Sequence, residues 1–128
     1  YPGGLTYSGH PLACATAVAS IGIFERDDVV GRSRSLGDDV ITPALDQIAA
    51  RHPSVGEVRG MGCFFAIELV RDPMGAVVAA CKAGGVWPCA HFNRLHVAPP
   101  LVIDETDLRS GLAAIDAALD VADGYLRS

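Results

Sequence analysis

The segment at residues 54–72, SVGEVRGMGCFFAIELVRD, constrains the fold more than any other part of the chain. Glycines stand on both sides of Met61, and a strongly apolar run from Cys63 to Val70 follows them. Glycine readily adopts the positive φ angles of tight turns, and apolar runs of about four to eight residues are typical of strands. The segment therefore predicts two short strands joined by a glycine turn, or one bulged strand, with the second part well buried.

The other elements follow from apolar spacing and from capping residues. The pattern predicts helices over residues 12–26, 29–51, 74–82 and 105–126, with Pro11 at the first helical position. Short strands are expected at 86–87 and 95–98. After the first helix the order is α-β-β-α-β-β-α. This order predicts a small α/β or α+β layer with helices over one face of a mostly antiparallel sheet.

Three helices carry more specific expectations. The first has small side chains on both faces, which indicates close packing and predicts that it is buried. Pro43 lies inside the second and predicts a kink or two shorter pieces. Asp104 is expected to cap the last helix. The predicted buried face of that helix consists of Leu108, Leu112, Ile115, Leu119 and Ala122.

Composition excludes several classes of function. Half of the 128 residues are hydrophobic and 20% are charged, so the chain can bury a core. The net charge is −5 and the ten basic residues are scattered, which argues against a nucleic-acid or anionic-membrane surface. Four cysteines without a CxxC pair predict buried free thiols in a reducing, cytoplasmic compartment. They are Cys14, Cys63, Cys81 and Cys89.

The start of the chain suggests a longer polypeptide. The first residue is not Met, and the chain opens directly on the turn-like sequence YPGG. We therefore expect a C-terminal fragment or part of a longer protein.

The stretch GLTYSGHP at residues 4–11 concentrates glycines and hydroxyls in front of the first helix. Thr6 and Ser8 offer hydroxyl donors, and the helix N-terminus offers free N–H groups, a combination that binds phosphate or another dianion. The sequence matches neither GxGxxG nor GxxxxGK[ST]. An ordinary turn before a helix explains the same residues, so both readings stay open at this point.

Several motifs in order resemble class III (ω-amino-acid) aminotransferases, which are pyridoxal-phosphate (PLP) enzymes of fold type I. GLTYSGHPLACATAVA resembles the Gly-x-Thr-x-x-Gly-His/Asn-Pro stretch before a small-residue helix of that family. EVRGMGCFFAIELV resembles its VRGxGL hairpin, ACKAGGVW the end of the helix that follows, and LHVAPPLVIDETDL its double proline and capped final helix. The resemblance covers nearly all 128 residues.

The resemblance implies a fold, a cofactor and an assembly. Residues 1–27 would end the large PLP-binding domain, and residues 28–128 would form the C-terminal small α/β domain. Thr6 would donate its hydroxyl to the PLP phosphate, assisted by the N–H of Leu5 or Thr6. In this family that contact crosses a subunit interface, which implies a homodimer. The Schiff-base lysine would lie upstream, because Lys82 stands late on a helix. This segment alone would therefore contain no catalytic residue and be inactive.

The resemblance also bears on the substrate. Many family members carry an arginine three positions before the double proline, where it binds an α-carboxylate. Here that position is His96, and Arg94 stands two residues earlier on the same expected strand face. This departure points to an ω-amino acid or aminosulfonate such as β-alanine, γ-aminobutyrate or taurine. A surface salt bridge is the alternative role for Arg94.

Other residues have mainly structural expectations. Core packing is favoured for Trp87 and Phe92 over a substrate channel, and His10 is expected to be structural. Arg59 is expected to hold backbone carbonyls in the hairpin. No metal site is expected.

Two further functions remain open. A free-standing α/β module that binds a small ligand would need no lysine. A racemase or aminomutase of the same fold would share the cofactor.

Overall fold

The computed structural model describes residue 4 and residues 6–126. Two compact units are present, Tyr1–Gly31 and Arg32–Ser128. The first contains helix α1 (Pro11–Arg26), which begins at the predicted proline and ends before Asp27-Asp28. None of the residues of α1 is buried, so the prediction of a buried helix is wrong for this chain. Small side chains allow another element to pack closely against a helix, but they do not show that such an element is present.

The second predicted helix runs without interruption, but its hydrogen-bonding pattern changes along its length. It consists of α2 (Val29–Leu36), a π-helical turn (Gly37–Ile41) and α3 (Thr42–Arg51). The Thr42 N–H donates to the Gly37 carbonyl, a bond between residues five apart. Pro43 follows at the start of α3, where a proline has no N–H to donate and its ring would clash with the carbonyl four residues earlier. The π turn, which contains one residue more than an α-helical turn, therefore lies just before Pro43, where the sequence predicts a kink or two shorter pieces.

Four strands form one antiparallel sheet in the order β1-β2-β4-β3. Their bounds are β1 (Val55–Met61), β2 (Phe64–Leu69), β3 (Cys89–His91) and β4 (Arg94–Val97). The turn between β1 and β2 contains Gly62 at φ +54°, as the glycine pattern predicts. The strand predicted at 86–87 is wrong, because the Val86 N–H donates to the Cys81 carbonyl and closes the end of a helix instead.

The core lies on one face of this sheet. Alternate residues of β2 and β4 are buried there: Phe65, Ile67, Leu69, Leu95 and Val97. Helices α4 (Met74–Ala83) and α5 (Glu105–Leu126) pack with α3 on the same core. All five residues predicted for the buried face of α5 are buried. The Asp104 carboxylate accepts the Thr106 N–H at 2.8 Å, which confirms the predicted cap.

The four cysteines are free, as expected, but only Cys63 and Cys81 are buried. Cys14 and Cys89 are exposed, since α1 buries none of its residues and β3 is an edge strand. Burial raises the pKa of the Cys81 thiol. Among the helices of residue 4 and residues 6–126, none is both long and apolar enough to cross a membrane.

Candidate functional site

The loop before α1 presents Thr6 to solvent. Thr6 lies in a turn with Gly9 at φ +72°, and the His10 N–H donates to the Tyr7 carbonyl at 3.2 Å. Leu5, the second residue expected to bind the phosphate, lies outside the described residues. The exposed hydroxyl of Thr6 can therefore donate to an anion.

The N-terminus of α1 has no side-chain cap among the described residues. His10 occupies the N-cap position in an extended conformation, and Pro11 follows it. Its imidazole is exposed and lies edge-on to Tyr7, with ring centroids 6.2 Å apart. First-turn N–H groups that no side chain satisfies attract anions through the helix dipole. The chemistry of this loop therefore fits a phosphate group, which is the part of PLP that Thr6 is expected to hold.

The second candidate region is the sheet face opposite the core. Arg94 and His96 alternate with buried Leu95 and Val97, so both project from this face and both are half-buried. Arg94 stands directly opposite Glu68 on β2. His96 stands opposite Cys89 on β3. The Phe64 ring lies 5.6 Å from the His96 ring, centroid to centroid.

Arg59 organises the charges on this face. Its guanidinium donates to Glu57 at 2.9 Å and to Glu68 at 2.7 Å. The expectation that Arg59 holds backbone carbonyls is therefore wrong, since strand pairing brings two carboxylates within its reach. The hydrogen bond from Arg59 lowers the pKa of Glu68, and the charge of Arg94 adds a smaller effect in the same direction. Arg94 itself makes no side-chain hydrogen bond within residues 6–126, so its guanidinium can take an anionic ligand.

A cleft of about 420 Å³ opens beside β3 and β4 in the second unit. His96, Cys89 and Trp87 contribute to its lining, together with residues of α5. Trp87 is 81% exposed and Phe92 is 70% exposed, so the expectation of core packing is wrong for both. The Lys82 ammonium lies 3.8 Å from the centre of the Trp87 ring, a cation–π contact. This contact gives Lys82 a partner on the surface.

Sequence reasoning missed a buried polar cluster at the end of α3. His52 is fully buried there and contacts carboxylates of α5 on both sides of its ring. The signal was present as Asp116, Asp120 and Asp123, which fall at i, i+4 and i+7 on one face of the last helix. Two of these carboxylates, Asp116 and Asp123, contact His52 in the structure.

Comparison with known proteins agrees with these features. The family model for Aminotransferase class-III matches residues 2–119. The 4-aminobutyrate aminotransferase GabT of Escherichia coli is 33% identical, over 94% of this chain and 32% of that protein. The 5-aminovalerate aminotransferase DavT of Pseudomonas putida is 35% identical, over 90% of this chain and 30% of that protein.

Solved structures give the same result for the fold. The taurine:2-oxoglutarate aminotransferase of Bifidobacterium kashiwanohense, in complex with PLP and glutamate, has a TM-score of 0.87 at 28% identity. It matches over 96% of this chain and 31% of that chain. An S-selective transaminase from Arthrobacter sp. has a TM-score of 0.88 at 20% identity, over 97% of this chain and 32% of that chain, which shows the fold alone. The expected fold, the C-terminal part of a fold type I enzyme, is thereby confirmed.

The chain spans about a third of the length of the curated relatives it matches. The match runs through the opening loop, the hairpin and the final helix, which are the segments whose motifs carry the resemblance. A free-standing ligand-binding module is not favoured by this result. The chain belongs to the class-III aminotransferases.

Proposed function

We propose that this chain is the C-terminal portion of a PLP-dependent aminotransferase that moves an amino group from an ω-amino acid or amine to a keto acid. The observation that carries the proposal is the similarity, over 90% or more of the chain, to enzymes named for 4-aminobutyrate and 5-aminovalerate. Both named substrates carry a carboxylate remote from the reacting amine, and taurine in the third relative carries a sulfonate. The proposed donor class is therefore an amine with a distant anionic group.

The residues divide into two roles. Thr6, with a backbone N–H of Leu5 or Thr6, holds the PLP phosphate, and the exposed hydroxyl and uncapped helix end support this role. Arg94 binds the anionic end of the substrate, and His96 beside it shapes the pocket. PLP, when bound, supplies the electron sink for amino transfer, while the protein supplies binding and orientation. Residues 1–27 complete the large domain and residues 28–128 form the small domain.

The proposed assembly is a cytoplasmic homodimer with the active site at the subunit interface. Apolar side chains of α1 support an interface, because Leu12 and Val18 are each 71% exposed and Ile21 is 59% exposed. Covering this much exposed apolar surface with a second subunit would stabilise the dimer.

The visible absorption spectrum of the full-length protein tests the proposal. We expect a band from bound PLP that bleaches when β-alanine, γ-aminobutyrate or taurine is added and returns on addition of a keto acid. Because the transfer is reversible, the two additions should act in opposite directions. A protein that shows no such band, or a band that no amine changes, would contradict the proposed function.

The variant Arg94→Ala tests substrate recognition separately. Loss of a charge-assisted hydrogen bond is worth about 1.5–3 kcal/mol, so KM for an ω-amino acid should rise roughly 10- to 150-fold. KM for a neutral amine should stay within about twofold. Arg109→Ala is the matched control, since in the described part of the chain the Arg109 guanidinium pairs with Glu105 alone, on the surface of α5. An equal rise for acidic and neutral amines would remove Arg94 from the anion site.

A further inference from the structure

His52 is a fully buried histidine whose two ring nitrogens both face carboxylates of α5. Its Nδ1 lies 2.8 Å from Asp123 Oδ2, and its Nε2 lies 3.0 Å from Asp116 Oδ1. A neutral imidazole has one N–H donor and one lone pair. When Nε2 donates to Asp116, the lone pair of Nδ1 therefore points at an oxygen of Asp123. A cation between these two atoms makes that arrangement favourable.

The same arrangement is typical of histidines that bind a metal ion. Such a histidine coordinates the metal through one ring nitrogen and donates its other N–H to a carboxylate, which fixes the orientation of the ring. In this chain Asp116 is that carboxylate, and it is itself held by the Arg51 guanidinium. The ring is therefore fixed from its Nε2 side, and Nδ1 is the atom available to a metal.

Asp120 supplies a third ligand atom, close to one helical turn before Asp123. Residues three apart lie on the same side of a helix, and Asp120 Oδ1 is 4.0 Å from His52 Nδ1. The nitrogen and one oxygen of each of these two aspartates all lie within 4.8 Å of one another. Ligand atoms of a tetrahedral zinc ion, at bond lengths of about 2.0–2.1 Å, stand about 3.3 Å apart. A modest turn of each carboxylate therefore gives three of the four ligands of such a site.

A buried polar atom beside this cluster lacks a partner. Ser54 is 2% exposed, and its hydroxyl has no hydrogen-bond partner in the part of the chain that the structure describes. The Ser54 N–H donates to Asp123 Oδ1 at 3.1 Å, so the hydroxyl is close to that carboxylate. Burial would raise the pKa of Asp123, but interactions with Ser54 and His52 outweigh it and hold that pKa below its ordinary value. A water bound to the metal at the fourth position would give the Ser54 hydroxyl a partner.

Charge and exposure around the cluster also fit a divalent cation. The three aspartates and Arg51 together carry a net charge of −2, which one divalent ion neutralises. Arg51 lies 3.4 Å from Asp120 and keeps Asp116 as its partner when Asp120 turns towards an ion. The Asp120 side chain is 62% exposed, so an ion can reach the buried Nδ1 from this side.

We propose that His52, Asp120 and Asp123 bind one Zn²⁺ ion, which fastens the junction between α3 and β1 to the end of α5. Imidazole nitrogen and carboxylate oxygen together suit zinc, whereas magnesium prefers oxygen ligands alone. This proposal replaces the sequence-based expectation that the chain has no metal site. Its ligands are up to 71 positions apart, and only the packing of α3 and α5 on one core brings them together.

Zinc binding to the full-length protein, after dialysis against a chelator, tests the proposal. In calorimetric titration with ZnCl₂ we expect the wild type to bind one equivalent that Asp120→Asn loses or binds at least about tenfold more weakly, because a ligand is removed. Asp46→Asn removes the same charge from an exposed position of α3 and should bind zinc like the wild type. Both aspartates are exposed, so the three chelated proteins should share one Tm. Zinc should raise Tm in the wild type and in Asp46→Asn, and not in Asp120→Asn.

The contrary outcomes are equally specific. A wild type without saturable zinc binding overturns the proposal. Equal zinc binding by the wild type and Asp120→Asn also overturns it, and is the result expected if the exposed thiols of Cys14 and Cys89 take the metal. So does a rise in Tm with Mg²⁺ as large as that with zinc, which indicates a non-specific acidic surface. No amine or keto acid is added, so these results are independent of the proposed aminotransferase activity.

Discussion

Replacing Gly60 with alanine should destabilise the second unit by about 3 kcal/mol or more, because the new Cβ has no space. A Cβ at this position would lie 2.5 Å from both Cα and Cγ of Phe65, and it would also contact the Phe64 carbonyl oxygen. Two of these atoms belong to the backbone of β2, which pairs with β1 at this point and cannot move without breaking the ladder. Urea unfolding followed by circular dichroism measures the loss.

Gly56→Ala is the matched control on the same strand. Its Cβ would meet Val70 Cγ2 at 3.4 Å, an ordinary van der Waals contact, so the free energy of unfolding should change by less than about 1 kcal/mol. Both variants restrict the unfolded chain equally. If the two variants lost the same stability, the close approach of β1 and β2 would not be the cause.

The secondary structure was largely predictable because local signals agree with the final packing. The last helix has a cap at Asp104 and an apolar face that repeats every three to four residues, and both features are seen. The hairpin was predictable from Gly62, whose positive φ the turn requires. Such features depend on neighbours in the sequence, so they can be read before the fold is known.

The features that were predicted wrongly or missed depend on contacts between residues that are distant in sequence. Val86 and Trp87 have strand-like side chains, but Val86 closes the end of α4 and Pro88 separates it from β3. Exposure of Trp87 and Phe92 follows from their positions beside an edge strand, which the sequence does not give. The burial of the His52 ring could be predicted only from the register between α3 and α5. No local pattern specifies that register.

The candidate site was predictable to a similar extent. The spacing of Arg94 and His96 predicted a shared strand face, and the register of β4 against β2 places them on it. Their neighbours Glu68, Arg59 and Cys89 come from three other strands, so only the sheet order reveals them. The role of each residue toward a substrate stays a prediction.

The variant Thr6→Ala should weaken binding of PLP to the full-length protein by about 1–3 kcal/mol, or roughly 5- to 150-fold in Kd. The physical reason is the loss of one hydroxyl donor to a doubly charged phosphate. The exposed position of Thr6 before an uncapped helix end supports the role. Equilibrium dialysis of the apoprotein against PLP gives the Kd directly.

Two controls separate the phosphate contact from general damage to the loop. Thr6→Ser keeps the hydroxyl and should restore most of the affinity. Thr16→Ala removes the same group from α1, where the Thr16 hydroxyl donates to the Leu12 carbonyl at 2.8 Å, and Kd should not change. Equal affinity of Thr6→Ala and wild type would remove Thr6 from the cofactor site while leaving the family assignment intact. An equal loss in Thr6→Ala and Thr6→Ser would instead trace the effect to the shape of the loop, because the serine still carries a donor.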